Sequence, residues 1–328
     1  MRKMTFVLTA LLLVAVLGTA AAGERIRMGV VVKIGGIPWF NAMEEGIRKE
    51  SPKQNIDAWQ IGPTSADPAL QVRAIEDLIA QKVDVIGVVP NDMQVLEPVL
   101  QRARSQGIKV IMHEGPEQVN KDWDFELVSV EFYAESHIKK FAELLGGEGE
   151  YGLFVGSLTV PLHNAWADVA IEYQKKNFPK MKLVADRFGV AESLDDSMRT
   201  ANELMDKYPN LKGILTFGSL GPIGAGRAVL QRNKVNDVVV VGAFSAGQGQ
   251  RLLEQGAIKA GYTWNPMVAG EVFCRLARML VDGTPIVDGK VIDGMGKVSV
   301  NNDTKVILGQ EVEVLDKANI QRLVDMGL

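Results

Sequence analysis

The chain has 328 residues, a formal net charge of −4, one cysteine and three histidines. No run of basic residues occurs after residue 22, which excludes nucleic acid and anionic membrane surfaces as partners. The single cysteine, Cys274, can form no internal disulfide and is expected to be a small buried apolar residue.

The first 22 residues have the pattern of a secretory signal peptide. Arg2 and Lys3 precede an uncharged apolar run over residues 6–17, and three alanines follow at 20–22. The run is shorter than the roughly 20 residues of a membrane-spanning helix, and no cysteine near the cleavage site could accept a lipid. We therefore expect cleavage after about Ala22 and export to the periplasm. The 306 residues that remain are about twice the ~150 residues of a typical domain, which predicts two domains.

Short β-branched runs alternate with segments of helical period along the rest of the chain. Strands are predicted at 25–32, 55–61, 83–89 and 109–113, with helices over 40–49, 68–81 and 95–106 between them. After 125–132 the alternation restarts, with helices at 134–145, 164–178, 194–208, 222–232 and 248–255 and strands at 151–156, 182–188, 213–217, 238–244 and 258–264. This alternation favours parallel sheets that helices cover on both faces. The fold class is therefore predicted as α/β, with two doubly wound parallel-sheet lobes.

The last part of the chain contains a helix at 266–282, a segment rich in glycine and charge, and closing elements at 306–314 and 318–326. We assign residues 23–131 plus 266–297 to the N-terminal lobe, and residues 132–265 plus 298–328 to the C-terminal lobe. The chain then crosses between the lobes three times, near Val130, Trp264 and Val298. Three crossing strands are what a hinge requires.

Ligands of open parallel sheets bind at the carboxyl ends of the strands, so the residues that follow each strand are the candidate site. In the first lobe they are Lys33, Trp39, Phe40, Asn91, Asp92 and Glu114. In the second lobe they are His163, Asn164, Gly218, Ser219, Phe244, Ser245 and Asn265. Aromatic rings stack on the C–H faces of a sugar, while charged and amide groups bind its hydroxyls. This mixture predicts a small polyhydroxylated ligand.

Several of these residues also have a simpler structural explanation. Trp39 or Phe40 could belong to the core under the first helix, and Lys33 could extend along a strand edge with its ammonium in water. Asp92, Ser219 and the His163-Asn164 pair could cap helices, a role that is compatible with ligand binding.

Enzyme motifs are weak or absent. The stretch GSLGPIGAG at 218–226 lacks the G-x-G-x-x-G spacing, and neither G-x-x-x-x-G-K-[ST] nor G-x-S-x-G occurs. His113, His137 and His163 are not clustered in the sequence and have no cysteine ligands beside them. We expect no enzymatic activity, no cofactor and no metal.

The stretches GIPWFNAMEEGI, VDVIGVVPND, GIKVIMHE and VVVVGAFS, together with the export signal, resemble the ribose-type (type I) periplasmic sugar-binding proteins of ATP-driven importers. The resemblance covers essentially the whole mature chain. Sugar-responsive repressors share this fold, but the chain has no helix-turn-helix headpiece. The chain is most similar to the subgroup of autoinducer-2-binding and rhamnose-binding proteins, through Lys33, Glu114 and the stretch YTWNP. This implies that Lys33 and Glu114 contact ligand oxygens, that Trp39 and Phe40 stack on the ligand, and that Asn91, Asp92 and Asn265 bind hydroxyls.

Two positions differ from the autoinducer-2 binders. Those proteins carry an Asp-Gln pair where this chain has Leu162-His163, and Pro-Asp-Ala where it has Phe217-Gly218-Ser219. A pentose, deoxyhexose or short sugar alcohol is therefore expected as the ligand. The resemblance implies a monomer that closes around its ligand and is then recognised by an inner-membrane permease with a cytoplasmic ATPase. The alternative is a receptor for autoinducer-2 or another signal sugar that docks to a chemoreceptor or sensor kinase.

Overall fold

A computed structural model describes residues 25–310 and 312–328. The predicted signal peptide lies outside the described residues. In those two ranges no helix has the length and apolar character needed to span a membrane.

Strands and helices alternate through most of the first lobe. In chain order it contains β1 (Ile26–Val31), α1 (Pro38–Glu50), β2 (Ile56–Ile61), α2 (Pro68–Ala80), β3 (Val85–Val88), α3 (Met93–Ser105), β4 (Lys109–His113) and β5 (Trp123–Glu126). All neighbouring strand pairs among β1 to β5 are parallel. Because helices cover both faces of such a sheet, its inner strands are apolar, and β3 is buried at every residue.

The second lobe repeats this arrangement. It contains α4 (Val130–Leu145), β6 (Glu148–Val155), α5 (Pro161–Asn177), β7 (Lys180–Leu183), β8 (Phe188–Gly189), α6 (Leu194–Lys207), β9 (Leu211–Phe217), α7 (Gly221–Gln231), β10 (Val239–Gly242), α8 (Ala246–Glu254) and β11 (Gly261–Thr263). Its sheet has the strand order β10-β9-β6-β7, and β8 pairs with the end of β6. The single strand predicted at 182–188 is thus two separate short strands. The predicted α/β class with two doubly wound parallel sheets is confirmed.

The C-terminal part of the chain returns to both lobes. It consists of α9 (Pro266–Val281), β12 (Val291–Ile292), β13 (Gly296–Lys297), β14 (Ser299–Asn301), β15 (Val306–Leu308), β16 (Glu313–Leu315) and α10 (Ile320–Asp325). β15 pairs in parallel with β5, and β14 pairs with β15, so both strands extend the first sheet. Our assignment of residues 298–328 to the second lobe is therefore wrong for 299–308, because the apolar strand β15 completes the edge of the first sheet. β16 pairs with β11, and α10 packs into the core of the second lobe.

The chain passes between the lobes three times, as the fold class predicts. The connections run from β5 to α4, from β11 to α9, and from β15 to β16. The third crossing therefore follows β15 instead of lying near Val298.

A close crossing of α1 and α9 fixes the helix that carries Trp39 and Phe40. A Cβ added at Gly46 would lie 1.9 Å from the carbonyl oxygen of Met267, and one added at Gly270 would lie 2.1 Å from that of Met43. Only glycine permits this backbone approach at both positions. α1 is therefore held firmly where the first lobe faces the second.

Candidate functional site

A cavity of about 30 Å³, which we call the inner cavity, lies between the two lobes. It is found at the carboxyl ends of β1, β4 and β9, as expected for doubly wound sheets. Its lining consists of Lys33, Ile37, Trp39, Phe40, Glu114, Tyr133, His163, Trp166, Glu192, Gly218, Ser219, Ala243 and Trp264. Both lobes therefore contribute to one enclosed site.

Lys33 is the centre of the polar contacts in the inner cavity. Its side chain is 1% exposed, and its ammonium donates a hydrogen bond to the carboxylate of Glu114. Glu114 follows β4 with a φ of 63°, in the left-handed region that non-glycine residues seldom adopt. The Lys33 Nζ also lies 3.1 Å from His163 Nε2 and 3.7 Å from Glu192 Oε1. One ammonium of the first lobe thus contacts two side chains of the second.

The hydrogen bonds of His163 indicate which ring nitrogen carries its proton. The backbone N–H of Gly156 donates to Nδ1 over 3.1 Å, which assigns the hydrogen of a neutral ring to Nε2. The ring is neutral because burial, reinforced by the charge of Lys33, holds the pKa of His163 well below its ordinary value. The Nε2–H and the Lys33 ammonium are therefore two donors that face each other. A ligand oxygen to one side of this pair, within hydrogen-bond distance of both nitrogens, would accept from both.

Glu192 is an acid of this site that the sequence analysis missed. It follows β8, a strand of only two residues, and its Oε2 is buried with no hydrogen-bond partner among the described residues. Burial raises the pKa of Glu192, the Lys33 charge opposes this shift, and the charge of Glu114 adds to it. A Cβ at Gly156 would lie 2.7 Å from His163 Nδ1 and 3.0 Å from Glu192 Cδ, so the glycine makes room for both side chains.

Aromatic rings form most of the remaining wall. Trp264 contacts Trp39 edge-on at 5.4 Å between ring centroids and lies 5.5 Å from Trp166. His163 stacks on Trp166, and Tyr133 covers that indole from another side at 4.4 Å. Within the described ranges, the buried Nε1 atoms of Trp166 and Trp264 have no hydrogen-bond acceptor. Two indoles of the wall therefore have N–H groups that are buried without an acceptor in the described ranges.

A second pair of buried acids lies behind Glu114 on β5. Asp124 accepts a hydrogen bond from the backbone N–H of Gly115 over 3.0 Å, and burial raises its pKa from 3.8 to about 7. The pKa of Glu126 is raised well above its ordinary value by burial and by the charge of Asp124. These carboxyl groups therefore retain protons under conditions in which exposed acids are ionised.

Seven of the predicted site residues line the inner cavity: Lys33, Trp39, Phe40, Glu114, His163, Gly218 and Ser219. Both Trp39 and Phe40 line the cavity and are also buried in the core, and their contact with a ligand stays a prediction. Tyr133, Trp166, Glu192 and Trp264 line the cavity as well but were not predicted.

Three other predicted residues support the site from outside its wall. The amide of Asn91 donates to the carbonyl oxygen of Lys33 over 2.8 Å and so holds the end of β1. Asp92 caps α3, accepting from the N–H groups of Gln94 and Val95. Asn265 caps α9 in the same way, through the N–H of Met267.

The last three predicted residues lie away from the inner cavity. Asn164 donates to the carbonyl oxygens of Ser157 and Val160, which fixes the start of α5. Phe244 is fully buried in the core of the second lobe, and Ser245 stands immediately before α8. None of these three residues is part of the cavity wall.

The sequence matches known proteins over most of its length. The periplasmic binding protein domain matches residues 28–285. A D-ribose/D-allose-binding protein of Pseudomonas aeruginosa is 25% identical over 74% of this chain and 77% of its own length. The D-allose-binding periplasmic protein of Escherichia coli is 24% identical over 85% of this chain and 91% of its own.

Solved structures share the fold at lower sequence identity. An ABC transporter solute-binding protein of Clostridium phytofermentans with bound L-rhamnose has a TM-score of 0.83 at 20% identity, over 92% of this chain and 98% of its own. LsrB of Clostridium saccharobutylicum in complex with AI-2 has a TM-score of 0.83 at 18% identity, over 90% and 99%. On the domain match and on this two-lobed architecture, the chain belongs to the periplasmic binding protein family and has the type I fold.

Proposed function

We propose that the protein is the periplasmic substrate-binding component of an ABC-type importer, and that it captures a monosaccharide or small polyol between its lobes. One observation carries this proposal: Lys33 and Glu114 of the first lobe meet His163 and Glu192 of the second in a single buried, aromatic-walled cavity. A ligand that bonds to both sets of side chains holds the lobes together. No paired acid and base is needed for such a role.

The ligand class follows from the polar atoms of the wall. The donors are the Lys33 ammonium, the His163 Nε2–H and the two indole N–H groups, and the acceptors are the carboxylates of Glu114 and Glu192. A hydroxyl group both donates and accepts, so a compact molecule with several hydroxyls can satisfy this mixture. A buried polar site also discriminates strongly against a ligand that lacks one of the matching hydroxyls. The sugars named for the relatives, D-ribose, D-allose and L-rhamnose, belong to this class.

The size of the inner cavity supports a hinge motion. Its volume of about 30 Å³ is well below the roughly 300–1,000 Å³ of usual small-molecule pockets. The lobes must therefore open while a sugar enters, and after closing around it they must stand slightly further apart than they do here. A ligand that binds the closed arrangement more tightly than the open one shifts the population towards closure. The permease, with its ATPase, would recognise the closed form of the monomeric binding protein.

A thermal-shift screen tests the proposed function. The panel contains pentoses, deoxyhexoses, hexoses, sugar alcohols and autoinducer-2. Autoinducer-2 is included because Glu192 provides an acid in the second lobe, although this chain lacks the Asp of autoinducer-2 binders at residues 162–163. A ligand present at 100 times its Kd should stabilise the folded state by about 2.7 kcal/mol and raise the Tm by several degrees. Isothermal titration of the hit should give one site per chain. Flat responses to the whole panel would refute the proposal.

A further inference from the structure

A second pocket adjoins the inner cavity at the mouth of the cleft. This outer pocket has a volume of about 420 Å³ and lies between the loop 64–66 of the first lobe and the segments 156–157 and 189–196 of the second. Its volume falls within the range of usual small-molecule sites. Because both lobes line it, an occupant would contact the two lobes at once.

Glu192 stands between the two pockets. Among the residues that the structure describes, it alone lines both the inner cavity and the outer pocket. Its Oε1 faces Lys33, while its buried Oε2 has no partner in the part of the chain that the structure describes. A ligand bound to Lys33 would therefore also lie near Glu192, and the same residue borders the outer pocket.

Small side chains create the space of the outer pocket. Ala66, Gly156, Ser157, Gly189 and Ser193 all lie in its wall. A Cβ at Gly189 would stand 3.0 Å from the backbone nitrogen of Leu158, so this side of the wall is already at contact distance. At Gly156 and Gly189 an added Cβ would press against neighbouring residues of the wall, so the volume depends on glycine at both positions.

The chemistry of the outer pocket fits a neutral, hydroxylated group. Its polar side chains include the hydroxyls of Thr64, Ser65 and Ser157 and the carboxylates of Glu192 and Asp196, and none of its lining residues is Lys or Arg. A phosphate or carboxylate would meet these two carboxylates, and the cations beside them are already paired: Lys33 Nζ lies 3.7 Å from Glu192 and Arg199 Nη2 lies 2.6 Å from Asp196. Ile34 and Leu194 add apolar surface that suits the C–H face of a second sugar ring.

From this arrangement we infer that the protein takes a disaccharide or glycoside, with one sugar ring in the inner cavity and a second, neutral unit in the outer pocket on the far side of Glu192. The inference rests on the proposed function and narrows its substrate class. The competing explanation is that the outer pocket is only the entrance for a monosaccharide.

Isothermal titration with matched pairs of sugars separates the two explanations. The pairs are D-glucose with cellobiose, D-galactose with melibiose, and L-rhamnose with rutinose, each measured on the wild type and on Ser65→Trp. Ser65 is exposed, and its side chain makes no hydrogen bond within the described ranges, so the indole should fill the outer pocket without disturbing the fold. Ser65→Ala is the matched control, and Ala66→Leu is a second blocking variant should the tryptophan variant fail to fold.

In at least one pair the disaccharide should bind the wild type as tightly as the monosaccharide or more tightly. The blocking variant should then lower the ratio of disaccharide to monosaccharide affinity at least tenfold, and Ser65→Ala should change that ratio less than twofold. A tenfold or greater preference for the monosaccharide in every pair that binds would overturn the inference and leave the proposed function standing. An unchanged ratio in the blocking variant would also overturn it. Absence of binding by every sugar here and in the thermal-shift panel would overturn both.

Discussion

Replacing Lys33 with methionine should show how much the buried charge pairs of the inner cavity contribute to stability. The side chains of Lys33 and Glu114 are 1% and 3% exposed, so the substitution leaves the Glu114 carboxylate buried without its cation. Glu192 loses its nearest cation as well. Removing one partner of a buried ion pair costs about 3–5 kcal/mol, while methionine keeps most of the volume of the lysine stem. We expect the free energy of unfolding at pH 7 to fall by about 3–5 kcal/mol.

Urea unfolding of four proteins measures this effect as a double-mutant cycle. The proteins are the wild type, Lys33→Met, Glu114→Gln and the double variant. The double variant contains no unpaired Glu114 charge, so it should recover a large part of the loss, with a coupling energy of about 2–3 kcal/mol. The control is Lys175→Met, which breaks an exposed pair with Glu172 and should change stability by about 1 kcal/mol or less. If Lys33→Met unfolds at the wild-type urea concentration, or if the two single effects simply add, the charge pair is not buried as described.

Two further predictions concern the acids behind the site and the glycine beside it. The pKa of Asp124 is raised to about 7, so between about pH 4 and pH 7 the folded protein holds a proton that the unfolded chain has released. The stability that this group contributes is therefore fully present at low pH and is lost as the pH rises through this range. At about 1.4 kcal/mol per pH unit, Asp124→Asn should remove roughly 2–3 kcal/mol of the decline in unfolding free energy between pH 5 and pH 7, and an unaltered pH profile would contradict the assigned shift. Gly156→Ala places a Cβ against His163 and Glu192 and should weaken binding of the sugar found in the screen at least tenfold by titration. The control is Gly247→Ala, where an added Cβ meets nothing closer than 3.5 Å, and this variant should bind the sugar like the wild type. If Gly156→Ala binds the sugar as tightly as Gly247→Ala, His163 and Glu192 do not contact the sugar.

The first-lobe half of the site could be predicted from the sequence because each of its residues follows a strand with clear ends. β1 and β4 are apolar runs that stop at Lys33 and at His113-Glu114, so the topology alone brings these side chains to one edge of the sheet. β3 lies between β1 and β4, so Lys33 and Glu114 follow strands that are two positions apart in the sheet, and their long side chains meet across the end of β3.

The second-lobe half was harder to predict because its signals are short or ambiguous. Glu192 follows β8, whose two residues leave no alternation of apolar and polar positions to recognise. Tyr133 and Trp166 lie on α4 and α5 among other buried residues, and an aromatic residue at helical spacing has the pattern of a core position. Trp166 differs from an ordinary core indole in lining the cavity and in its unpartnered Nε1, and both are properties of the folded protein.

The polar residues that follow strands divide into helix caps and cavity residues according to their distance from the next helix. Asp92 and Asn265 stand immediately before α3 and α9, and each uses its side chain to accept from the first turn of its own helix. Lys33 is separated from α1 by the turn that contains Gly35 and Gly36, so its side chain has no helix N-terminus to serve. Glu192 has no capping role for a different reason: the following residue, Ser193, accepts a hydrogen bond from the N–H of Asp196 and caps α6. A polar residue after a strand is therefore available to a ligand when the next helix starts later in the chain, or when a neighbour has already capped that helix.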